Sequence, residues 1–126
     1  MIPNPRVLDA KHFESGELAP LKWDVEGLIT SGDRVVMYGE FGAFKTWVAL
    51  DLALALSTGS SEWLKHKIPQ PKKVLYVDEE MGVYKIDRRV RRLLARRGLT
   101  SPGALTILTR AGVLFDRLGT LELQRF

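Results

Sequence analysis

The eight residues Gly39-Glu40-Phe41-Gly42-Ala43-Phe44-Lys45-Thr46 decide how the rest of this chain is read. Set against the phosphate-loop pattern G-x-x-x-x-G-K-[ST], they supply Gly39, Lys45 and Thr46 and depart at Phe44, where glycine is usual. Upstream, Arg34 to Tyr38 (RVVMY) is short, β-branched and aromatic, which predicts a buried strand. Downstream, Lys45 to Ser57 (KTWVALDLALALS) is rich in Ala and Leu and free of Gly and Pro, which predicts a helix stopped at Gly59. A loop between such a strand and such a helix aims several backbone N–H groups and the positive end of the helix dipole at one point, which favours a phosphate. Gly39 and Gly42 are expected to take turns forbidden to residues with side chains, and Phe44 to adopt an ordinary helical φ/ψ with its ring turned away. Lys45 is expected to reach the β and γ phosphates as a point charge and the Thr46 hydroxyl to ligate Mg²⁺. The plain alternative is a strand-to-helix turn with an incidental Lys-Thr.

Working outward, the first twenty residues, with Pro3, Pro5, Gly16 and Pro20, read as an irregular lead-in with one short turn of helix. Trp23 to Ile29 (WDVEGLI) is a short segment ending at a Thr30-Ser31-Gly32-Asp33 turn. Beyond the loop's helix comes a connection with Pro69 and Pro71, then a strand at Val74 to Val77 that runs into Asp78, Glu79 and Glu80. A second helix follows from about Tyr84 to Arg97, with Ile86, Val90, Leu93 and Leu94 at i, i+4, i+7 and i+8 forming one apolar stripe. Leu105 to Leu108 is the third expected strand. Strand, helix, strand, helix, strand in that order predicts an α/β fold with a parallel sheet and helical crossovers.

With 126 residues, 45% of them apolar and 27% charged, the chain has the composition of a folded domain rather than a disordered tail. It has no cysteine, which excludes disulfides, thiolate zinc sites and cysteine nucleophiles, and His12 and His66 alone are little material for a histidine metal cluster. The longest apolar run, around Trp47 to Leu56, is interrupted by Asp51, and the N-terminal residues carry no apolar signal core, so no membrane association is expected and the cytoplasm is the expected location. The net charge of +4 is uneven: residues 1–71 carry −2 and residues 72–126 carry +6. Between Lys85 and Arg97 seven basic residues face one acid, Asp87. That run suits contact with a polyanion or a subunit interface, and it equally suits the solvated face of a helix.

Read from the residues alone, VLYVDEE resembles a strand whose Asp78 holds the Mg²⁺ shell while Glu79 polarises water. The plain alternative is that these acids end a buried strand and cap the next helix. The combination GEFGAFKTWVALDLALALSTG, KKVLYVDEEM and RRVRRLLARRGL resembles the RecA-like ATPases of the plasmid replicative helicase RepA type, over about Trp23 to Leu99. That resemblance implies a three-layer P-loop sandwich with a mostly parallel sheet, of which residues 23–126 would be the N-terminal part after a lead-in over 1–22. It implies a site for ATP and Mg²⁺ built from Gly39 through Thr46 with Trp47, in which Thr46 and Asp78 serve the metal. Lys45 and Glu80 are then the catalytic pair, because in that family the second acid after the strand's aspartate activates water. The 33-residue separation of Lys45 and Asp78 fits an adjacent crossover.

The same resemblance implies a homo-oligomeric ring such as a hexamer, hydrolysis at a subunit boundary, and work on single-stranded DNA in replication or recombination. Arg88, Arg89, Arg92 and Arg96 are the candidates for an interface or DNA contact. Val113 to Asp116 is a weak apolar run ending in an acid, too short for the later metal-binding strand. The chain therefore reads as the front portion of a larger ATPase domain, split or completed by a partner, since a sheet stopped there leaves an edge unpaired. Two rivals stand beside the ATPase: a nucleotide-binding or interaction module without turnover, and a basic nucleic-acid-binding domain with an incidental loop.

Overall fold

The computed structural model describes residues 8–16, 19–110 and 112. Its order is α1 (Ala10–Ser15), β1 (Trp23–Val25), β2 (Ile29–Thr30), α2 (Lys45–Ser57), β3 (Glu62–Trp63), β4 (His66–Lys67), β5 (Val74–Asp78), α3 (Val83–Arg96) and β6 (Leu105–Thr109). β5 and β6 pair in parallel from Val74 opposite Leu105 to Asp78 opposite Thr109, with α3 as the crossover between them. The other two pairs, β1 with β2 and β3 with β4, are antiparallel hairpins. The Val113 to Asp116 run lies outside the described residues, as do residues 1–7 of the lead-in.

α2 is apolar on nearly every side, and the structure uses more than one of them. Leu50 and Leu54 meet Ile86, Val90, Leu93 and Leu94 of α3 in a core that also takes in Tyr76, Leu105 and Ile107 from the parallel pair. Ala55, with Val48, Leu52 and Leu56, meets Val25, Trp63 and Ile68 of the hairpin region in a second core. The register puts Tyr76 and Ile107 on the same face of the pair, so the helices cover one face of the sheet.

Hydrogen bonds at two places, Asp51 and Ser57, fix this packing. Asp51, the charge inside α2's apolar run, accepts from Arg97 Nη2 at 2.7 Å and Nε at 3.0 Å and from Trp63 Nε1 at 3.1 Å, so one carboxylate ties α2 to the end of α3 and to β3. At the end of α2, Ser57 Oγ donates to the Pro102 carbonyl at 2.8 Å, and Ala104 N donates to the Ser57 carbonyl at 3.1 Å. Gly103 (φ +62) passes so close that a Cβ there would collide with the Ser57 carbonyl oxygen, so this crossing requires glycine.

One expected strand does not form. Arg34 to Tyr38 has no ladder partner among the described residues, and Val36 and Tyr38 are 84% and 90% exposed instead of buried. β-branched residues favour a pleated surface but cannot supply the hydrogen bonds of a missing neighbour, so pattern alone does not make this segment a strand. The single sheet of three parallel strands is thereby corrected to one parallel pair.

Candidate functional site

The predicted loop does wrap the start of α2. Gly42 adopts φ +81, and Ala43 N donates to the Glu40 carbonyl at 3.1 Å to close the turn. Gly39 does not need a left-handed backbone; its value is space, since a Cβ there would meet Ala43 Cβ at 3.4 Å and the Lys45 stem at 3.7 Å. Phe44 is the second correction. It takes φ +58, ψ +20, the left-handed conformation, so the phenylalanine copies the glycine geometry instead of a helical one, at a cost of about 1 kcal/mol.

No side chain caps the N-terminus of α2, and Val48 N onto the Phe44 carbonyl at 3.1 Å is the helix's first turn-closing bond. The N–H groups of Lys45, Thr46 and Trp47 precede it and lack helical acceptors by geometry, which leaves donors and a positive dipole end for an anion. Lys45 Nζ donates to the carbonyls of Gly39 at 2.7 Å and Glu40 at 2.8 Å. An ammonium has three protons, so one donor remains to meet an anion without breaking either contact.

An open hollow of about 540 Å³ lies over this loop, floored by residues 41 to 47 and walled opposite by Glu80, Met81, Lys85 and Arg89. The hollow thus gathers Lys45, Thr46 and Glu80 of the predicted site. Three cations, Lys45, Lys85 and Arg89, face one carboxylate, Glu80, a balance that attracts a polyanion. Lys85 and Arg89 reach it because residues four apart share a face of α3. Arg89 lies over the Trp47 ring at 4.9 Å, which fixes the position of both.

The three acids at the end of β5, Asp78, Glu79 and Glu80, separate. Asp78 is buried, and its carboxylate accepts from Met81 N at 3.0 and 3.1 Å and from Gly82 N at 2.8 Å. It holds the turn that carries Glu80 and leads into α3, whose N-cap is Gly82 with no side-chain cap of its own. Asp78 does not line the hollow. Glu79 accepts from Gly112 N at 3.1 Å, away from the hollow's lining. Glu80 is the acid that faces the loop.

Thr46 suits a magnesium ion, which takes few protein ligands and fills its sphere with phosphate oxygens and water. Asp78 suits it less, because backbone amides already occupy three of its acceptor directions. No group of three or more metal-ligating side chains occurs among the described residues.

A second hollow adjoins the first and shares Phe44 and Trp47 with it. Trp63 and Leu64 of the β3–β4 hairpin and Arg92 and Arg96 of α3 line it. Sequence reasoning missed this hairpin. The only signal was Asp51, a charge in an apolar helix that burial obliges to find partners, here Arg97 and the Trp63 indole.

Among the described residues no helix is long and apolar enough to cross a membrane. Compared with known families, residues 3–124 match the family model described as an AAA domain. No curated protein and no solved structure matches the chain.

Proposed function

The chain belongs to the AAA domain family, whose members are nucleotide-binding, ATPase-like domains, and from that premise we propose that it binds Mg-ATP at the 39–46 loop and hydrolyses it. The observation that carries this reading is the opposition of Lys45 and Thr46 to Glu80 across one cationic hollow. The loop amides and Lys45 bind and orient the phosphates. Thr46 holds the metal, which when bound neutralises charge on the transferring phosphoryl group. Glu80 orients the attacking water and accepts its proton. Asp78 keeps the Glu80 turn rigid; its expected share in the metal's shell requires it to act beside the amides it already accepts from.

The finer identity follows the sequence resemblance: a RecA-like sandwich of the RepA helicase type, working as a homo-oligomeric ring on single-stranded DNA. The exposed Arg34 to Tyr38 segment, which has no ladder partner among the described residues, supports reading residues 23–126 as part of a larger sheet, because such a segment becomes a strand only when a neighbour pairs it. The exposed arginines of α3 supply the charge for a DNA or subunit contact. A rival reading, nucleotide binding without turnover, is favoured by the prior engagement of the Asp78 carboxylate.

Calorimetry of Mg-ATP binding to the intact protein and its Lys45→Ala variant tests the binding step, and single-turnover hydrolysis tests catalysis. The expected result is at least tenfold weaker binding in the variant. Equal affinity in both proteins would sink the reading. Binding without hydrolysis would select the rival. A flat salt profile for binding to single-stranded DNA would remove that partner.

A further inference from the structure

We propose that the second hollow, between the α2 N-terminus, α3 and the β3–β4 hairpin, is the seat of the nucleotide's base. This rests on the reading of the 39–46 loop as the phosphate site, and three observations carry it further. The first is continuity: Phe44 and Trp47 line both hollows, so a molecule with its phosphates on the loop has its remaining part directed across these two rings. At about 840 Å³ the second hollow has room for a base and its sugar.

The second is chemistry. The lining combines three aromatic side chains, Phe44, Trp47 and the largely buried Trp63, with the guanidinium groups of Arg92 and Arg96, neither of which forms an ion pair among the described residues. Aromatic faces and arginine planes are what a flat, electron-rich heterocycle stacks upon. The floor is set in advance, because Asp51 holds both the Trp63 indole N–H and Arg97.

The third is exposure. Phe44 and Leu64 hold apolar side chains 70% and 63% exposed at this hollow's rim. The loop and the hairpin turn account for their backbone conformations, but not for two exposed hydrophobes on two separate elements around one hollow, which points to a ligand that covers them. Asp51's carboxylate is already engaged, so the side chains lining the hollow present donors and ring faces, and the base is held by stacking. ATP and GTP are therefore expected to bind alike.

The test compares Mg-ATP with magnesium tripolyphosphate, which carries the phosphates without the base. Binding is measured calorimetrically and by tryptophan fluorescence on the full chain and on Trp63→Phe, Trp63→Ala and Leu64→Ser. The wild type should bind ATP at least about tenfold more tightly than tripolyphosphate, consistent with one or two stacked faces. Trp47 lines both hollows and responds to either ligand, so ATP should change the fluorescence more than tripolyphosphate does, and Trp63→Phe should remove that excess. Trp63→Ala should weaken ATP about fivefold or more and leave tripolyphosphate unchanged. Leu64→Ser, at an exposed position, should show the same selective loss if Trp63→Ala does not fold. Tripolyphosphate bound through Lys45, with ATP no tighter and indifferent to these variants, would overturn the base seat while the phosphate reading stands. Tripolyphosphate binding that ignores Lys45→Ala would instead overturn the phosphate reading and this inference with it. Variants that weaken only oligothymidylate binding, or only self-association, would assign the hollow to nucleic acid or to a second copy and overturn the proposal.

Discussion

Asp51 and Arg97, 46 positions apart in sequence, meet with the Arg97 Nη2 and Nε atoms 2.7 and 3.0 Å from one carboxylate oxygen. Both side chains are mostly shielded from solvent, and the remaining Asp51 oxygen accepts from Trp63. Removing one member leaves the others with unmet hydrogen-bonding groups in a half-dry place. Arg97→Ala should therefore cost about 1–3 kcal/mol by urea denaturation, and Asp51→Ala a similar amount. The double variant should cost clearly less than the sum of the two. Strict additivity would show that the contact does not couple the elements.

Phe44→Gly separates stability from binding. Glycine relieves the left-handed strain, partly offset by its greater unfolded-state freedom, so the variant should gain up to about 1 kcal/mol in denaturant midpoint experiments. Its ATP affinity should fall, because a ring lining both hollows is lost. A variant that is less stable and binds no worse would contradict both expectations.

Glu80→Gln should slow single-turnover ATP hydrolysis by about 10²–10⁴-fold with nucleotide affinity nearly unchanged, as expected for a group acting on a proton in the transition state. Glu79→Gln should stay within a few fold of wild type, since Glu79 accepts from Gly112 N and does not line the hollow. If Glu79→Gln alone abolished turnover, the roles would have to be exchanged.

Tyr76 supplies a pH dependence on the alkaline side. Burial, reinforced by the nearby Asp78 charge, raises its phenol above the ordinary value of 10.0, with Arg89 opposing. The unfolded chain thus ionises first. The contribution of the neutral phenol is whole below pH 10 and is lost as pH rises through that value toward the folded one. The stability difference between wild type and Tyr76→Phe should consequently shift against wild type above pH 10, and a difference constant from pH 8 to 11 would refute it.

What could be read from sequence was what local pattern determines. The α2 boundaries at Lys45 and Ser57, the stripe of Ile86, Val90, Leu93 and Leu94, and the β5–β6 segments all follow from side-chain type and spacing, and the structure shows them in place. Arg34 to Tyr38 failed as a strand because strand formation depends on a partner that no local pattern can report. The β3–β4 hairpin was hidden for a related reason: its turn is Leu64-Lys65, both at positive φ, where Asn and Gly are the usual signal. Within the site, the 39–46 loop was legible from its motif, and the expectation for Glu80 came from family resemblance. Phe44's conformation and the adjoining aromatic hollow depend on three-dimensional approach, and the letters alone did not disclose them.

α2 belongs to both apolar cores, and this has a consequence for how the protein comes apart. Neither core can open without dismantling the helix that serves the other, so α3 and the parallel pair, held through Leu50 and Leu54, and the two hairpins, held through Ala55, share one cooperative transition. Amide protons in the middle of α2 should be the last to exchange with deuterated solvent, at a rate set by global unfolding. The loop that begins at Gly39 thus leads into a helix whose middle opens only when the whole molecule does.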